Sequence, residues 1–265
     1  MDLALSKRLE RTEGLVGASF IRTRQRLAPE QGATWREIGG VCALFDGADS
    51  PMTQTFGLGV ARERTAEQLA ELEAFFFERG ADTMHEVSPL GGVGVPALLV
   101  ARGYQPIELS TVLVQELADA TAPSSPELRA RVMTAEDRNA WVEASVAGWS
   151  DDPAVATFMR PIAETASANE AMTHFLVEHA GQIIATASMG IFEGTALLAG
   201  ASTIPSGRGL GAQALVLAAR LAEAKRRACD IAMMVAAPGS TSQRNAERRG
   251  FRVAYTRTKW RLARK

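Results

Sequence analysis

Apolar and polar positions change period several times along this chain, and the changes mark out its elements. In the C-terminal half, residues 128–132 alternate as a short strand, and Thr134 followed by Glu136 and Asp137 opens a helix running to about Gly148. Asp151, Asp152 and Pro153 supply N-cap and first-turn chemistry for a second helical stretch, 155–168. The period then drops to two. Strands are predicted at 174–178 and 182–189 around the turn His179-Ala180-Gly181, and at 196–204 after Phe192-Glu193-Gly194. A Gly-rich turn, 206–211, leads into a strongly helical segment at 212–227. A continuously apolar strand follows at 231–236, then a helix at 240–249 stopped by Gly250, and extended sequence at 251–262. The order β-α-α-β-β-β-α-β-α-β predicts an α/β fold, a mixed sheet with helices on its faces.

The first half repeats this plan in outline. Residues 55–60 are strand-like, 65–79 read as a helix closed by Gly80, 84–87 as a strand, 95–101 as a helix stopped at Gly103-Tyr104, and 108–117 as a strand. Gly80 with Gly103-Tyr104 mirrors Cys229 with Gly250-Phe251, which suggests an internal duplication. The first copy has no Gly-rich turn. Ala61, Arg62, Glu63 and Arg64 follow its strand, and their side chains would crowd a phosphate approaching the backbone, so this copy is expected to bind no cofactor. Between the halves, ADATAPSSP at 118–126 breaks the patterned sequence, giving domains at 1–118 and 128–265 joined by a linker at 119–127.

Composition narrows the function classes. With 46% hydrophobic and 22% charged residues, the chain has enough apolar material to fill real cores. The net charge of -1 gives no general field for nucleic acid or anionic lipid, and neither is expected as a partner. Positive charge does concentrate in the tail, at Arg244, Arg248, Arg249, Arg252, Arg257, Lys259, Arg261, Arg264 and Lys265; it suits either a small polyanion or a solvated basic face. Cys42 and Cys229 lie far apart, without metal or disulfide spacing, and no secretion signal or membrane span is legible, so a cytoplasmic protein without bound metal is expected.

The chemistry centres on Pro205-Ser206-Gly207-Arg208-Gly209-Leu210-Gly211-Ala212-Gln213, between a strand and a helix. A diphosphate needs close backbone approach, free N–H donors and the positive end of a helix dipole, and such a turn supplies all three, with Arg208 adding a charged fork. These residues resemble the loop R/Q-x-x-G-x-G/A with which the GNAT N-acetyltransferases bind the coenzyme A pyrophosphate, matching at Arg208 and Gly211 and departing at Gln213, where a small residue is usual. The segment from Ser242 to the Gly250-Phe251 stop resembles the last helix of that family, which lies beside the coenzyme A arm. The resemblance implies two tandem GNAT-like domains, the first degenerate, with acetyl-CoA as co-substrate and the amine of a small molecule or peptide as acceptor, in a monomer or homodimer. It places the diphosphate on Arg208, Gly209, Leu210, Gly211, Ala212 and Gln213, the pantetheine arm on Ser202, Thr203 and Ile204, and Asn245 beside the cofactor.

Amine acetylation further needs an acid for the departing thiolate and, for a basic amine, a base. Where relatives carry a tyrosine in the last helix, this chain has Ala246, Glu247, Arg248 and Arg249, which leaves Tyr255, beyond the Gly-Phe stop, as the candidate acid; packing is its competing role. Glu143, Asp151 and Asp152 are the candidate bases. A chain so short of acid and base also suits a coenzyme A-binding sensor or interaction module that has lost catalysis. Gly207-x-Gly209-x-x-Ala212 with Asp230 imitates a dinucleotide fingerprint, but Asp230 opens its strand rather than ending it. The histidines His85, His174 and His179, the run Phe75-Phe76-Phe77, and Trp141 with Trp149 are expected to serve packing or the surface.

Overall fold

A computed structural model describes residues 2–60, 65–117, 125–151 and 153–264. Met1, Ala61–Arg64, Ala118, most of the expected linker (119–124), the expected helix-entry residue Asp152 and Lys265 lie outside the described residues. In chain order the elements are α1 (Leu3–Leu27), β1 (Thr34–Ile38), β2 (Val41–Phe45), β3 (Gln54–Leu58), α2 (Ala66–Phe77), β4 (Thr83–Val87), α3 (Gly94–Ala101), β5 (Gln105–Glu116), β6 (Leu128–Val132), α4 (Arg138–Ala147), α5 (Pro153–Ser167), β7 (Met172–His179), β8 (Gln182–Phe192), β9 (Thr195–Thr203), α6 (Ala212–Arg226), β10 (Ile231–Ala236), α7 (Thr241–Glu247) and β11 (Arg252–Leu262). The predicted α/β class and the element order of the second half are both present. No described helix is long and apolar enough to cross a membrane.

The chain forms two compact units, Met1–Gln115 with Met233–Lys265, and Glu116–Ala232. The segment expected to close the second domain, residues 233–265, therefore packs with the first. In that first unit β11 lies between β4 and β5, antiparallel to both, while β3 and β4 run parallel and β1-β2-β3 is an antiparallel meander. One core gathers Leu69, Leu72, Phe75 and Phe76 of α2, Leu99 of α3, Tyr104 and Trp260, which accounts for most of the phenylalanine run. Its His85 is buried, with Nδ1 2.7 Å from Thr55 Oγ1 and Nε2 3.0 Å from the Tyr104 hydroxyl.

Helix α1 was not predicted, and its buried face explains why. It packs Glu10, Thr12, Thr23 and Arg24 inward beside Leu9, Val16 and Ile21, so no clean apolar stripe appears in the sequence. Arg24 Nε donates to Asp46 Oδ1 at 2.8 Å, which satisfies one of the buried charges. Gly14 and Gly17 bring α1 close to β2: a Cβ at Gly14 would lie 2.8 Å from Cys42 Cβ, and one at Gly17 would lie 2.3 Å from Leu44 Cδ1. The β1–β2 hairpin, also unpredicted, turns on Gly39-Gly40 with φ of 54° and 83°, a pairing that glycine adopts freely.

The basic tail is not simply a solvated face. Arg257 and Lys259 of β11 turn into the first unit, where the Arg257 guanidinium meets three carboxylates: Glu13 through Nη1 (2.8 Å) and Nη2 (2.9 Å), Glu10 at 3.2 Å and Glu86 at 2.8 Å. Lys259 lies 3.0 Å from Glu108 and 3.3 Å from Glu86.

In the second unit, β9-β8-β7-β6 is an antiparallel meander. Its two hairpins turn where the sequence predicts, on Ala180-Gly181 (φ 48° and 80°) and Glu193-Gly194 (φ 47° and 72°). Trp141 of α4 is buried against Val142, Ala163 and Leu176, and its indole N–H donates to the Phe175 carbonyl at 2.9 Å. His174 lies edge-on to Trp141 with its Nδ1 2.9 Å from Ser188 Oγ, and burial pushes its pKa down to about 4, so it is neutral at physiological pH. Both aromatic residues thus belong to the packing of this unit.

Candidate functional site

Strand β9 ends at Thr203, a single 3-10 turn spans Pro205–Gly207, and α6 begins at Ala212. The glycines between serve two physical ends. Gly207 is buried and leaves no room for a side chain, since a Cβ there would lie 2.8 Å from Ile184 Cβ; Gly209 and Gly211 have φ of 80° and 85°, a region L side chains rarely enter, with open space around them. Gly211 is the N-cap of α6 and brings no side chain to the helix end, so the first-turn amides of a 15-residue helix face outward without a capping oxygen.

The expected diphosphate and pantetheine residues converge on this junction. Ile204 N donates to the Ile184 carbonyl at 3.0 Å, and Ser202 Oγ to the Ser145 carbonyl at 3.2 Å, which fixes the end of β9 against β8 and α4. Gln213, the departure from a small residue, does not fill the loop: its Nε2 donates to Thr203 Oγ1 at 2.6 Å, so its length is spent tying α6 back to β9. Arg208, Gly209, Leu210 and Gly211 are exposed, while Ala212 is buried. The Arg208 guanidinium forms an ion pair with Asp151 and donates from Nη2 to the Gly148 carbonyl at 3.4 Å.

Gly148 closes the same corner. A Cβ there would stand 2.6 Å from both Ser202 Cβ and Oγ and 3.1 Å from Thr203 N. Gly148→Ala is therefore expected to lower stability by about 1–3 kcal/mol through overpacking, read as a shift in the urea midpoint. An unchanged midpoint would show that α4 withdraws from β9 without cost.

No family model matches the chain, and no curated protein sequence does. Solved structures do. A GCN5-related N-acetyltransferase from Kribbella flavida superposes with a TM-score of 0.64 at 20% identity, covering 92% of this chain and 95% of that one. A tandem GNAT protein from the clavulanic acid biosynthesis pathway gives 0.60 at 13% identity, covering 92% and 87%. A GCN5-related N-acetyltransferase from Sphaerobacter thermophilus gives 0.58 at 16% identity, covering 79% and 71%. The fold is that of the tandem GNAT proteins.

Two further candidates lie on α7 and β11. Asn245 and Tyr255 belong to the first unit, not to the unit that carries the Gly-rich junction. Asn245 is exposed on α7, where its Oδ1 accepts from Arg248 Nη1 at 3.1 Å. Tyr255 is 5% exposed, and its hydroxyl donates to Glu10 Oε1 at 2.7 Å. Burial, reinforced by the Glu10 carboxyl, drives the Tyr255 pKa far above its ordinary value. A buried hydroxyl holding its proton toward Glu10 is poorly placed to serve a thiolate, and the geometry gives Tyr255 the competing role, as part of the Arg257 cluster.

The candidate bases are engaged as well. Glu143 accepts from both terminal nitrogens of Arg160, at 2.7 and 2.9 Å, and the hydrogen bonds with that guanidinium hold its pKa below the usual range; Asp151 faces Arg208. Asp152 lies outside the described residues. Among the described residues, no group of three or more His, Cys, Asp or Glu could hold a metal ion. The Gln213–Thr203 tie was not anticipated either; the only signal for it in the sequence is a long polar residue in the first helical turn after a strand ending in Thr.

Proposed function

We propose that this protein is an acetyl-CoA-dependent N-acetyltransferase acting on the amine of a small molecule or peptide. The observation that carries the reading is the β9–α6 junction, where two left-handed glycines and an uncapped helix N-terminus present backbone amides beside an exposed arginine. These residues fit a diphosphate: Arg208–Gln213 would hold it, and the backbone of Ser202–Ile204 would receive the pantetheine arm. Coenzyme A, when acetylated, supplies the activated thioester. The chain contributes position: the Ser202–Ser145 and Gln213–Thr203 hydrogen bonds keep the end of β9 and the start of α6 in one geometry, so that the acyl group and the amine meet with little loss of freedom. A neutral amine needs no covalent help from the protein, and the rate is expected to rise with pH as the acceptor loses its proton.

Calorimetry with coenzyme A and acetyl-CoA, followed by thiol-release assays over a broad amine panel, tests the reading. Arg208→Glu is expected to weaken coenzyme A binding about tenfold or more, since it replaces a charge-assisted donor by a like charge. No heat from folded wild-type protein at millimolar ligand would remove the proposal. A second reading, cofactor binding without turnover, is favoured by the engagement of Tyr255, Glu143 and Asp151 with other side chains. Binding without thiol release across the panel would select it.

A further inference from the structure

Arg208 stands in the diphosphate loop, yet its guanidinium is already taken. Nη1 meets the Asp151 carboxylate, and Nη2 reaches back to the Gly148 carbonyl at 3.4 Å. Both side chains are open to solvent, 46% exposed for Arg208 and 64% for Asp151. The backbone just before Asp151 is fixed: Gly148 abuts Ser202, Gly148 N donates to the Ala144 carbonyl at 3.1 Å, and Trp149 N donates to the Val146 carbonyl at 3.0 Å. Asp151 is thus carried to Arg208 by the end of α4, not by a chance encounter of two free side chains.

Resting on the cofactor reading above, we propose that Asp151 is a built-in competitor for the diphosphate loop. Its carboxylate holds the guanidinium that the diphosphate would use, and cofactor binding exchanges one anion for the other. A guanidinium fork presents its best face to one anion at a time. A diphosphate carries more charge than a carboxylate and also gains the amides of α6, so it displaces Asp151, and the exchange frees the carboxylate at the α4–α5 turn. The same arithmetic discriminates between ligands. A molecule with a diphosphate can drive the exchange; one carrying only the neutral pantetheine arm leaves the Arg208–Asp151 pair intact.

The test compares coenzyme A with pantetheine by calorimetry on wild-type protein, Asp151→Asn and Asp151→Ala, with thermal melts to confirm that each variant is folded. Loss of an exposed ion pair of ordinary strength predicts coenzyme A binding about two- to fivefold tighter in both variants, and pantetheine binding unchanged. In an Arg208→Ala background the gain is expected to vanish, which ties it to the guanidinium and not to general charge. Unchanged or weaker coenzyme A binding in the Asp151 variants, with wild-type binding intact, overturns the competitor and makes Asp151 a staple that supports the loop. Equal tightening for pantetheine overturns it too. Absence of coenzyme A binding by the wild type itself is a different result, which removes the proposed function and this inference with it.

Discussion

Replacing Arg257 by methionine is expected to destabilise the first unit by about 3–5 kcal/mol, the cost of leaving buried charge without its partner. The side chain is 2% exposed, and its guanidinium is the meeting point of Glu10, Glu13 and Glu86, with Ser110 Oγ accepting from Nε at 2.9 Å. Methionine keeps much of the volume and removes the charge, so the loss reports electrostatics rather than a cavity. Urea unfolding of wild type and variant at neutral pH measures it; a difference below about 1 kcal/mol would mean that the cluster is far better hydrated than its burial implies.

The same cluster sets a pH dependence. Burial raises the Glu10 pKa, with Glu13 and Glu86 adding to the rise and Arg257 opposing it. Its Oε2 is buried without a hydrogen-bond partner, while Oε1 accepts from Tyr255 and Arg257. A carboxyl whose folded pKa lies above its unfolded one binds its proton more tightly in the folded chain. That contribution to stability is fully present below the unfolded pKa and is lost as pH rises through the raised folded value. Glu10→Gln fixes the neutral form, so its stability relative to wild type is expected to improve as pH rises from the ordinary carboxylate range through the raised value, and to level off above it. Parallel stability–pH curves for the two proteins would refute this.

The second large effect is expected at the Gly-rich junction. Gly209 and Gly211 have φ of 80° and 85° with no neighbouring atom in the way of a Cβ, so alanine there meets no clash and only the backbone penalty applies. At roughly 1–2 kcal/mol for each residue, the Gly209→Ala, Gly211→Ala double variant carries about 2–4 kcal/mol against the observed loop shape. An exposed loop relieves such strain by moving. Cofactor binding must then restore the cradle, and coenzyme A affinity is expected to fall about 30- to 700-fold, with far-UV circular dichroism unchanged. Retained affinity would show that the amides of Gly209 to Gln213 do not hold the ligand.

The second unit was legible because its signals are local. Strand alternation, the turn pairs Ala180-Gly181 and Glu193-Gly194, and a helix start after Gly211 each declare themselves within a few residues. The junction was legible for the same reason. The first unit hides its logic in long-range pairs. Arg257 and Tyr255 read as part of a basic, extended tail, since their acidic partners Glu10 and Glu13 lie more than two hundred residues earlier in the chain. Those acids in turn obscured α1, whose buried face carries charge where a hydrophobic stripe was sought. The Gly39-Gly40 hairpin and the Asp2 cap of α1 do leave local signals in the sequence. At the site, Asp151 and Glu143 are each paired with an arginine in a way that no spacing of residues reveals, because each pair depends on where an arginine from another element arrives.

The position of β11 between β4 and β5 has a consequence for the birth of the molecule. Synthesis delivers the neighbours of this strand more than a hundred residues before the strand itself, so the first unit must wait with a gap in its sheet until residues 252–262 have been made. The second unit, whose meander closes through short hairpins, is free to fold in the meantime.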